Sequence, residues 1–523
     1  MFSINGTNNC ITKKTALPCA QKEVVSEISL PDYLPDVSRL LRTSATVGNV
    51  NDYVNGQSLE YDGDINYVIV YATSDGRIKS IPLSAEFDGS IALPELEGDY
   101  QTQINADIES VTCRLQNPRR FTVKTKLCVS ADIYSETCVE PQITGQTADG
   151  DGFIRKKVKT VDSMRVISVK DENVPISEDV EIGSDDPPIG EIVSVTLAPF
   201  ISDAHASNGV ISYRGDVAAD VIYLAASDGD GQAEYRFFTR KIPIYGEVAA
   251  EGVSSDCSAT GGATVSGVEF RPQANALGEN RTVEIDFTYT VTLFAACNAP
   301  ANIVEDMYST SHQSASEMAE TTVRRALKAG SFNFTSDGSA PLDDKEHTKV
   351  VSSSASATVS GVEKNGSKAT FVGETDVSVI LTDGAGSYVG RTFSVPFKAE
   401  TEVGRSAGEL DHFADASVIS TSVRVDGGEM KCDAEIGIAF FVSDVSSEQT
   451  VAKCVITQDR PQVKVPASNI VICYPAEGET LWDIAKRYGI SEEAIKQSNP
   501  SLGEISSDSV IIIPGENKKK LPL

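Results

Sequence analysis

The sequence is poor in the residues on which most catalytic and metal sites depend. Four histidines occur in 523 residues, and none lies within metal-ligand spacing of another: His205, His312, His347 and His412. The sequence contains no G-x-S-x-G elbow, no P-loop and no H-E-x-x-H pair. These absences predict a protein with no catalytic residues, no metal and no cofactor, and we expect it not to be an enzyme.

Basic residues and long apolar runs are also scarce. Lys and Arg number 45 against 75 Asp and Glu, which gives a net charge of −30. Because phosphate attraction needs a basic stripe, this balance argues against nucleic-acid binding, and an anionic membrane surface would repel the chain. No run of 18 apolar residues occurs, which predicts no membrane insertion.

The ten cysteines show no pair with the two-residue spacing of a zinc knuckle or a redox motif. Cys128 lies in the apolar alternation KLCVSADI, which is typical of a buried free thiol. The N-terminal stretch MFSINGTNNC has no basic region followed by an apolar one, as a secretory signal would. We therefore expect free thiols in a reducing cytoplasm, with cross-linking of Cys10 and Cys19 left open.

The sequence does contain an internal repeat. Residues 56–76, 209–229 and 366–384 share an aromatic residue two positions before a glycine, a polar alternation and an apolar run ending in Asp-Gly. The anchor glycines, separated by 152 and 158 residues, are Gly63, Gly215 and Gly373. A returning segment with a proline follows each Asp-Gly, at Pro82, Pro243 and Pro396. Such regular spacing predicts three copies of one structural unit.

Each copy has the pattern of β-structure. Apolar and polar residues alternate with a period of two, and Asp-Gly supplies hairpin turns. The pattern predicts a mainly β fold of three tandem antiparallel β-sandwich-like units, at residues 1–145, 146–305 and 306–460. Two helices are expected within them, a short one at Pro35–Leu41 and one at 313–329 leading the third unit. A linker is expected from Ser331 to Asp344.

Residues 466–516 have a different pattern, which predicts a small βααβ domain. A strand at Ile470–Tyr474 precedes a helix at Leu481–Tyr488, whose apolar residues follow i, i+3, i+4, i+7 spacing. Thr480 and Ser491 are candidate N-caps of the two helices, and Asn499-Pro500 ends the second. Val510–Ile513 would form the closing strand.

The pattern GETLWDIAKRYGISEEAIKQSNP followed by IIIPGE resembles a LysM domain. The resemblance implies binding of N-acetylglucosamine polymers such as peptidoglycan, in a groove between the loop before helix one and the loop after helix two. The residues it implies for binding are Gly478, Glu479, Thr480, Leu481, Asn499, Pro500 and Ile505. Glu479 stands where the family commonly has Asp, and Cys473-Tyr474-Pro475 replaces the usual Tyr-x-Val.

Several of these residues also have a purely structural interpretation. Gly478 suits a turn, Thr480 a helix cap and Asn499 a helix stop. Trp482, the single tryptophan, is either an anchor on a partner-binding face or part of a small core. We include Trp482 among the candidate partner-binding or glycan-binding residues.

The segments EISLPDYLPDVSRLLRTSATV, YDGDINYVIVY and RLQNPRR resemble the SPOCS domain of spore-forming bacteria. Its pairing with a LysM domain is similar to that of clostridial spore-coat morphogenetic proteins. The resemblance implies a non-enzymatic scaffold in the mother-cell cytoplasm, at the forespore surface and in the spore coat. The implied partners are a coat-basement ATPase, other coat proteins and further copies of the chain. One alternative is a cell-wall or cortex protein that binds glycan, and a weaker one is a phage or appendage structural protein.

Overall fold

The apolar–polar alternation of the sequence forms long antiparallel strands. A computed structural model describes residues 9–96, 98–145, 153–226, 234–406, 408–462 and 470–515. The first six strands are β1 (Cys10–Ser29), β2 (Val37–Asn55), β3 (Ser58–Thr73), β4 (Ile78–Ala92), β5 (Tyr100–Asn117) and β6 (Arg120–Cys138). They form two sheets, ordered β1-β6-β5 and β2-β3-β4, whose facing sides enclose a core with Tyr67, Phe121 and Leu127.

The same arrangement recurs twice along the chain. After a short strand β7 (Gln142–Thr144), the second set comprises β8 (Ile154–Glu181), β9 (Ile189–Ser207), β10 (Val210–Ala225), β11 (Tyr235–Ala249), β12 (Ser258–Ala274) and β13 (Asn280–Ser309). The third comprises β14 (His312–Pro341), β15 (Lys349–Asn365), β16 (Lys368–Thr382), β17 (Tyr388–Glu402), β18 (Glu409–Asp426) and β19 (Glu429–Pro461). Each set makes two facing sheets, and β7 adds to β19 in parallel. The predicted mainly β, sandwich-like fold class is confirmed.

Both predicted helices within the sandwiches are wrong. Residues 313–329 belong to β14, which pairs with β19 along almost its whole length, from His312↔Pro461 to Pro341↔Glu429. Helix-forming side chains set a local preference there, but pairing with a long neighbouring strand overrides it. The same strand runs through most of the predicted Ser331–Asp344 linker.

The other predicted helix, Pro35–Leu41, is also wrong: its first two residues are irregular and β2 begins at Val37. The amide of Val37 donates to the carbonyl of Pro118 at 2.9 Å, which fixes the point where β2 enters its sheet. A proline also disfavours the helical conformation of the residue before it, and Pro35 places this restriction on Leu34, directly before the segment.

The repeated glycines mark a close approach between neighbouring strands. A Cβ on Gly373 would collide with the carbonyl oxygen of Thr358 and the ring of Phe397. Gly215 approaches the carbonyl of Phe200 in the corresponding way. Strands β2, β9 and β15 each have a register shift beside the repeated glycine, as a β-bulge produces. Each anchor glycine is therefore required because the bulge of the neighbouring strand leaves no room for a side chain.

The three sandwiches pack around shared apolar clusters. Val70, Ile222 and Ile380, each seven residues after its anchor glycine, are fully buried together in one cluster. A second cluster joins Tyr134, Phe294 and Phe441, with ring centroids 5.7 and 4.9 Å apart. Because equivalent residues of all three units meet in each cluster, the units are arranged with approximate threefold symmetry.

Six of the cysteines are joined in three cross-strand disulfides: Cys10–Cys138, Cys19–Cys128 and Cys257–Cys297. The expectation of free thiols is therefore wrong for these six cysteines, including Cys128. The side chain of Cys128 points to the outer face of β6, next to the neighbouring strand β1. The bonded cysteines are 40 to 128 residues apart in the sequence, so their pairing could not be predicted from local spacing. Cys113, Cys432, Cys454 and Cys473 are free.

Candidate functional site

The segment after the sandwiches folds as predicted into a βααβ unit. It consists of β20 (Val471–Cys473), α1 (Leu481–Tyr488), α2 (Glu492–Ser498) and β21 (Ile511–Ile513), with β20 and β21 antiparallel. Each helix is short, with few apolar residues at helical spacing, and is stabilised by capping residues at both ends. Thr480 and Asp483 form a capping box at the start of α1, and Gly489 ends it in the left-handed conformation at φ 62°. The Ser491 hydroxyl caps α2.

The loop before α1 contains Gly478, Glu479 and Thr480. Gly478 is exposed at φ 78°, a backbone conformation that favours glycine. The Glu479 carboxylate accepts a hydrogen bond from the Ala476 amide at 2.9 Å and pairs with Arg487 at 3.0 Å. This carboxylate therefore holds its own loop closed. The Thr480 hydroxyl is likewise engaged with Asp483, at 2.6 Å, and this bond lowers the pKa of Asp483.

The loop after α2 begins with Asn499, whose side chain is fully engaged in the domain. Its amide nitrogen donates to the carbonyls of Ile495 and Ile512, at 2.8 and 2.7 Å. Its amide oxygen accepts from the Ile512 amide at 2.8 Å. Asn499 thus ties α2 to β21. Pro500, which follows it, is exposed.

The structure brings the apolar candidates of the two loops into one core. Leu481 and Ile505 are both half-buried against a cluster that includes Trp482, Ile484 and Ile495. Of the eight candidate residues, only Gly478, Thr480 and Pro500 are exposed. The Thr480 hydroxyl is engaged in the capping box, and the two loops also expose the acidic residues Glu477, Glu504 and Asp508.

Trp482 lies in an interface between this domain and the second sandwich. The side chain of Trp482 is 7% exposed and its ring meets that of Tyr308 edge-on, with centroids 4.9 Å apart. Its indole nitrogen donates to Asp306 at 2.8 Å, and the Lys486 ammonium reaches the same carboxylate at 2.7 and 2.8 Å. The Tyr308 hydroxyl donates to the Ile490 carbonyl at 2.7 Å. Residues near the end of β13 therefore hold α1 and the turn that follows it.

The outer face of the two-stranded sheet, on the side away from the helices, carries an apolar surface. We call it the sheet face, and its members are Ile470, Ile472, Tyr474, Val510 and Ile512, between 42% and 79% exposed. Ile472 and Ile512 are direct cross-strand partners. Their neighbours in sequence, Val471, Cys473, Ile511 and Ile513, point inward, as the period of two requires.

Inspection of the residues alone missed the sheet face, although a signal was present. The segments NIVICYP and SVIIIP are apolar on both faces of their strands, whereas a half-exposed strand ordinarily alternates apolar and polar residues. No charged side chain interrupts either run. Continuous apolar residues in both strands of so short a sheet therefore predict an apolar surface on its second face.

Comparison with known proteins identifies this domain. Residues 476–516 match the LysM domain family, so the chain contains a LysM domain there. No curated protein and no solved structure matches the chain. The LysM domain points to peptidoglycan or a related carbohydrate as a class of ligand. Among the described residues, no helix is long and apolar enough to span a bilayer.

Proposed function

We propose that the chain is a non-enzymatic scaffold of spore-coat assembly whose LysM domain binds a protein partner through the sheet face. The observation that carries the proposal is the exposure of five large apolar side chains on one face of a domain of about 45 residues. Contiguous apolar surface of this kind on a small domain marks an interaction site. The SPOCS-like pattern implies a coat-basement ATPase as that partner, at the forespore surface of the mother cell.

The engagement of the loop side chains supports a protein partner over a glycan. A sugar polymer is recognised through a few precisely placed polar groups, of side chains or of the backbone, that face its hydroxyl and acetamido groups. Glu479, Thr480 and Asn499 instead satisfy backbone and side-chain groups of their own domain. Using them for a ligand would leave those groups unpaired, at a cost of about 1–3 kcal/mol each.

Acidic residues in the loops of the LysM domain suggest the charge of the partner. Glu477, Glu504 and Asp508 are exposed in the loops of the LysM domain. The chain as a whole carries −30, so its long-range field favours a basic partner surface. An apolar face on an acidic domain fits a partner patch that combines apolar side chains with Lys or Arg.

Docking of the LysM domain on the second sandwich supports a scaffold. The contacts of Asp306 and Tyr308 hold α1 against β13, on the helical side of the domain, and leave the sheet face open. A partner bound there would be held in a set orientation to the three sandwiches, as assembly requires. A second copy of the chain could bind the same face in place of the partner.

Co-purification from sporulating cells tests the proposal with the tagged full chain. We expect the coat-basement ATPase to co-purify with the wild type and to be lost with Ile472→Glu, which places a charge at the centre of the sheet face. Leu277→Glu is the matched control, because Leu277 is an exposed leucine of the second sandwich, 84% exposed. Retention of the ATPase by Ile472→Glu would contradict the proposal.

Peptidoglycan binding is the second candidate, favoured by the LysM match and by the exposure of Gly478 and Pro500 in the two loops. Sedimentation of the full chain with insoluble peptidoglycan tests it. Binding that is weakened by Pro500→Ser and unaffected by Ile472→Glu would support the glycan and count against the sheet face as the main site. Absence of sedimentation would remove this candidate.

A further inference from the structure

The outer face of the sheet β1-β6-β5 carries a cluster of metal-ligating side chains that has no part in the LysM domain. The sulfurs of Cys19 and Cys128 and a carboxylate oxygen of Glu109 all lie within 4.8 Å of one another. This is the one group of three such residues found among the described parts of the chain. Because the three residues lie on three different strands, no sequence spacing could reveal it.

Two β-bulges orient the side chains of Cys19 and Glu109 towards Cys128. On β1, residues 18 and 19 interrupt the register with β6 between Leu17↔Ala131 and Ala20↔Val129. On β5, residue 109 has no partner between Ile108↔Leu127 and Ser110↔Lys126. Both flanking strands therefore bulge beside the same stretch of the central strand, next to Cys128. A bulge re-aims a side chain and is found next to functional sites more often than elsewhere in sheets.

The chemistry of the three groups suits a zinc-class ion. Two thiolates and a carboxylate are ligands of tetrahedral Zn²⁺, and three protein ligands leave a fourth position for water. Soft thiolates select such an ion over Mg²⁺ or Ca²⁺, which prefer oxygen ligands alone. Cys19 and Glu109 are exposed and Cys128 is half-buried, so an ion can reach the cluster from solvent.

We propose that Cys19, Cys128 and Glu109 form a redox-gated binding site for a zinc-class divalent cation. In the disulfide state both sulfurs are committed to each other, and no thiolate is present. Two equivalents of a thiol reductant convert the disulfide to two thiols and are themselves oxidised to a disulfide. Binding of Zn²⁺ then releases the two thiol protons, and Glu109 supplies the third ligand.

The fold supplies a control on the same pair of strands. Cys10 and Cys138 lie directly opposite each other on β1 and β6 and form a second disulfide. A zinc effect that arose from any reduced cysteine pair on this sheet would be lost equally on changing either pair. An effect of the proposed site depends on Cys19, Cys128 and Glu109 alone.

Zinc titration of the full chain against a chromophoric chelator tests the proposal, before and after reduction with a phosphine that is then removed. We expect no binding at this site by the oxidised chain and one additional Zn²⁺ per reduced chain. Cys19→Ser should abolish that binding, Glu109→Gln should weaken it at least about tenfold, and Cys138→Ser should leave it intact. Mg²⁺ should not compete.

Three results would overturn the proposal. One is equal zinc binding by the reduced wild type and Cys19→Ser, which would assign the ion to other thiols. Another is an unchanged affinity in Glu109→Gln. This variant alters an exposed side chain and so keeps the test valid even if Cys19→Ser fails to fold. The third is absence of binding by the reduced wild type.

Discussion

The indole nitrogen of Trp482 donates a hydrogen bond of 2.8 Å to the carboxylate of Asp306, near the end of β13. Through this bond, the only tryptophan of the chain lies inside the interface between the LysM domain and the second sandwich. Its fluorescence therefore reports directly on whether the two are docked. In this arrangement, a change of Trp482 is expected to undock the LysM domain from the second sandwich.

Asp306→Ala is expected to loosen this interface. The substitution removes the acceptor of the Trp482 indole and both contacts of Lys486. The loss should weaken docking by about 1.5–3 kcal/mol, the usual contribution of a hydrogen bond to a charged group. Tryptophan emission should move to longer wavelength as water reaches the ring.

Glu305→Ala is the matched control for that measurement, since Glu305 is the preceding residue of β13 and pairs with Lys157 instead, at 3.3 Å. The wavelength of tryptophan emission in Glu305→Ala should match that of the wild type. An unshifted emission maximum in Asp306→Ala would show that the interface does not depend on this carboxylate.

Arg42 is expected to be a principal contact among the three sandwiches. Arg42 lies on β2, is 5% exposed, and donates a hydrogen bond of 3.1 Å to the Ser354 hydroxyl of the third unit. It also interacts electrostatically with Asp220 of the second unit. Burial lowers the pKa of Arg42 to about 10, an effect that Asp220 partly opposes. Arg42→Ala should lower the free energy of unfolding by about 3 kcal/mol, because it leaves Asp220 without its cation.

Denaturant unfolding checks this prediction, with Arg39→Ala as the control. Arg39 is exposed on the same strand and bonds the Tyr388 carbonyl at 3.3 Å. Its loss should cost less than about 1 kcal/mol. Equal effects of the two substitutions would count against a special role for Arg42.

The anchor glycine of the third unit gives a prediction about packing. Gly373→Ala should destabilise the chain by about 1–3 kcal/mol, because the new Cβ meets the Thr358 carbonyl and the Phe397 ring. Gly361→Ala is the control, since nothing lies within 4 Å of a Cβ there. It should change stability by less than about 0.5 kcal/mol. Thermal unfolding of the two variants measures the difference, and an unaffected Gly373→Ala would refute the close approach.

The repeat, the hairpins and the LysM elements could be predicted because each rests on local sequence. Anchor glycines, Asp-Gly turns and capping residues fix conformation within a few positions. The first strand of the third unit could not be predicted, because residues 313–329 owe their conformation to pairing with residues of β19 more than a hundred positions away. The docking of Trp482 on Asp306 and the cluster at Cys128 are hidden for the same reason.

His412 is expected to make stability depend on pH. Burial lowers the pKa of His412 below its usual 6.5, partly opposed by Asp411 and Asp132 and reinforced by Lys14. Between the lowered pKa and 6.5 the unfolded chain binds the proton more readily than the folded one. The stabilisation is therefore present above pH 6.5 and is lost as the pH falls below it.

Urea unfolding at about pH 7.5 and about pH 5.5 measures this effect. His412→Gln should show a smaller loss of stability on acidification than the wild type. His205→Gln, a change of an exposed histidine, should retain the loss seen in the wild type. An unaltered pH dependence in His412→Gln would exclude His412 as its source.

The sheet face of the LysM domain is the proposed binding site for a protein partner. The most direct test of this proposal is an equilibrium titration of the purified full chain with the purified coat-basement ATPase, with an N-acetylglucosamine oligomer as competitor. We expect binding by Ile472→Glu to be at least about tenfold weaker, or about 1.4 kcal/mol, with no change in Leu277→Glu and no competition by the oligomer. Equal affinity of the wild type and Ile472→Glu, or binding of the oligomer alone, would contradict the proposal.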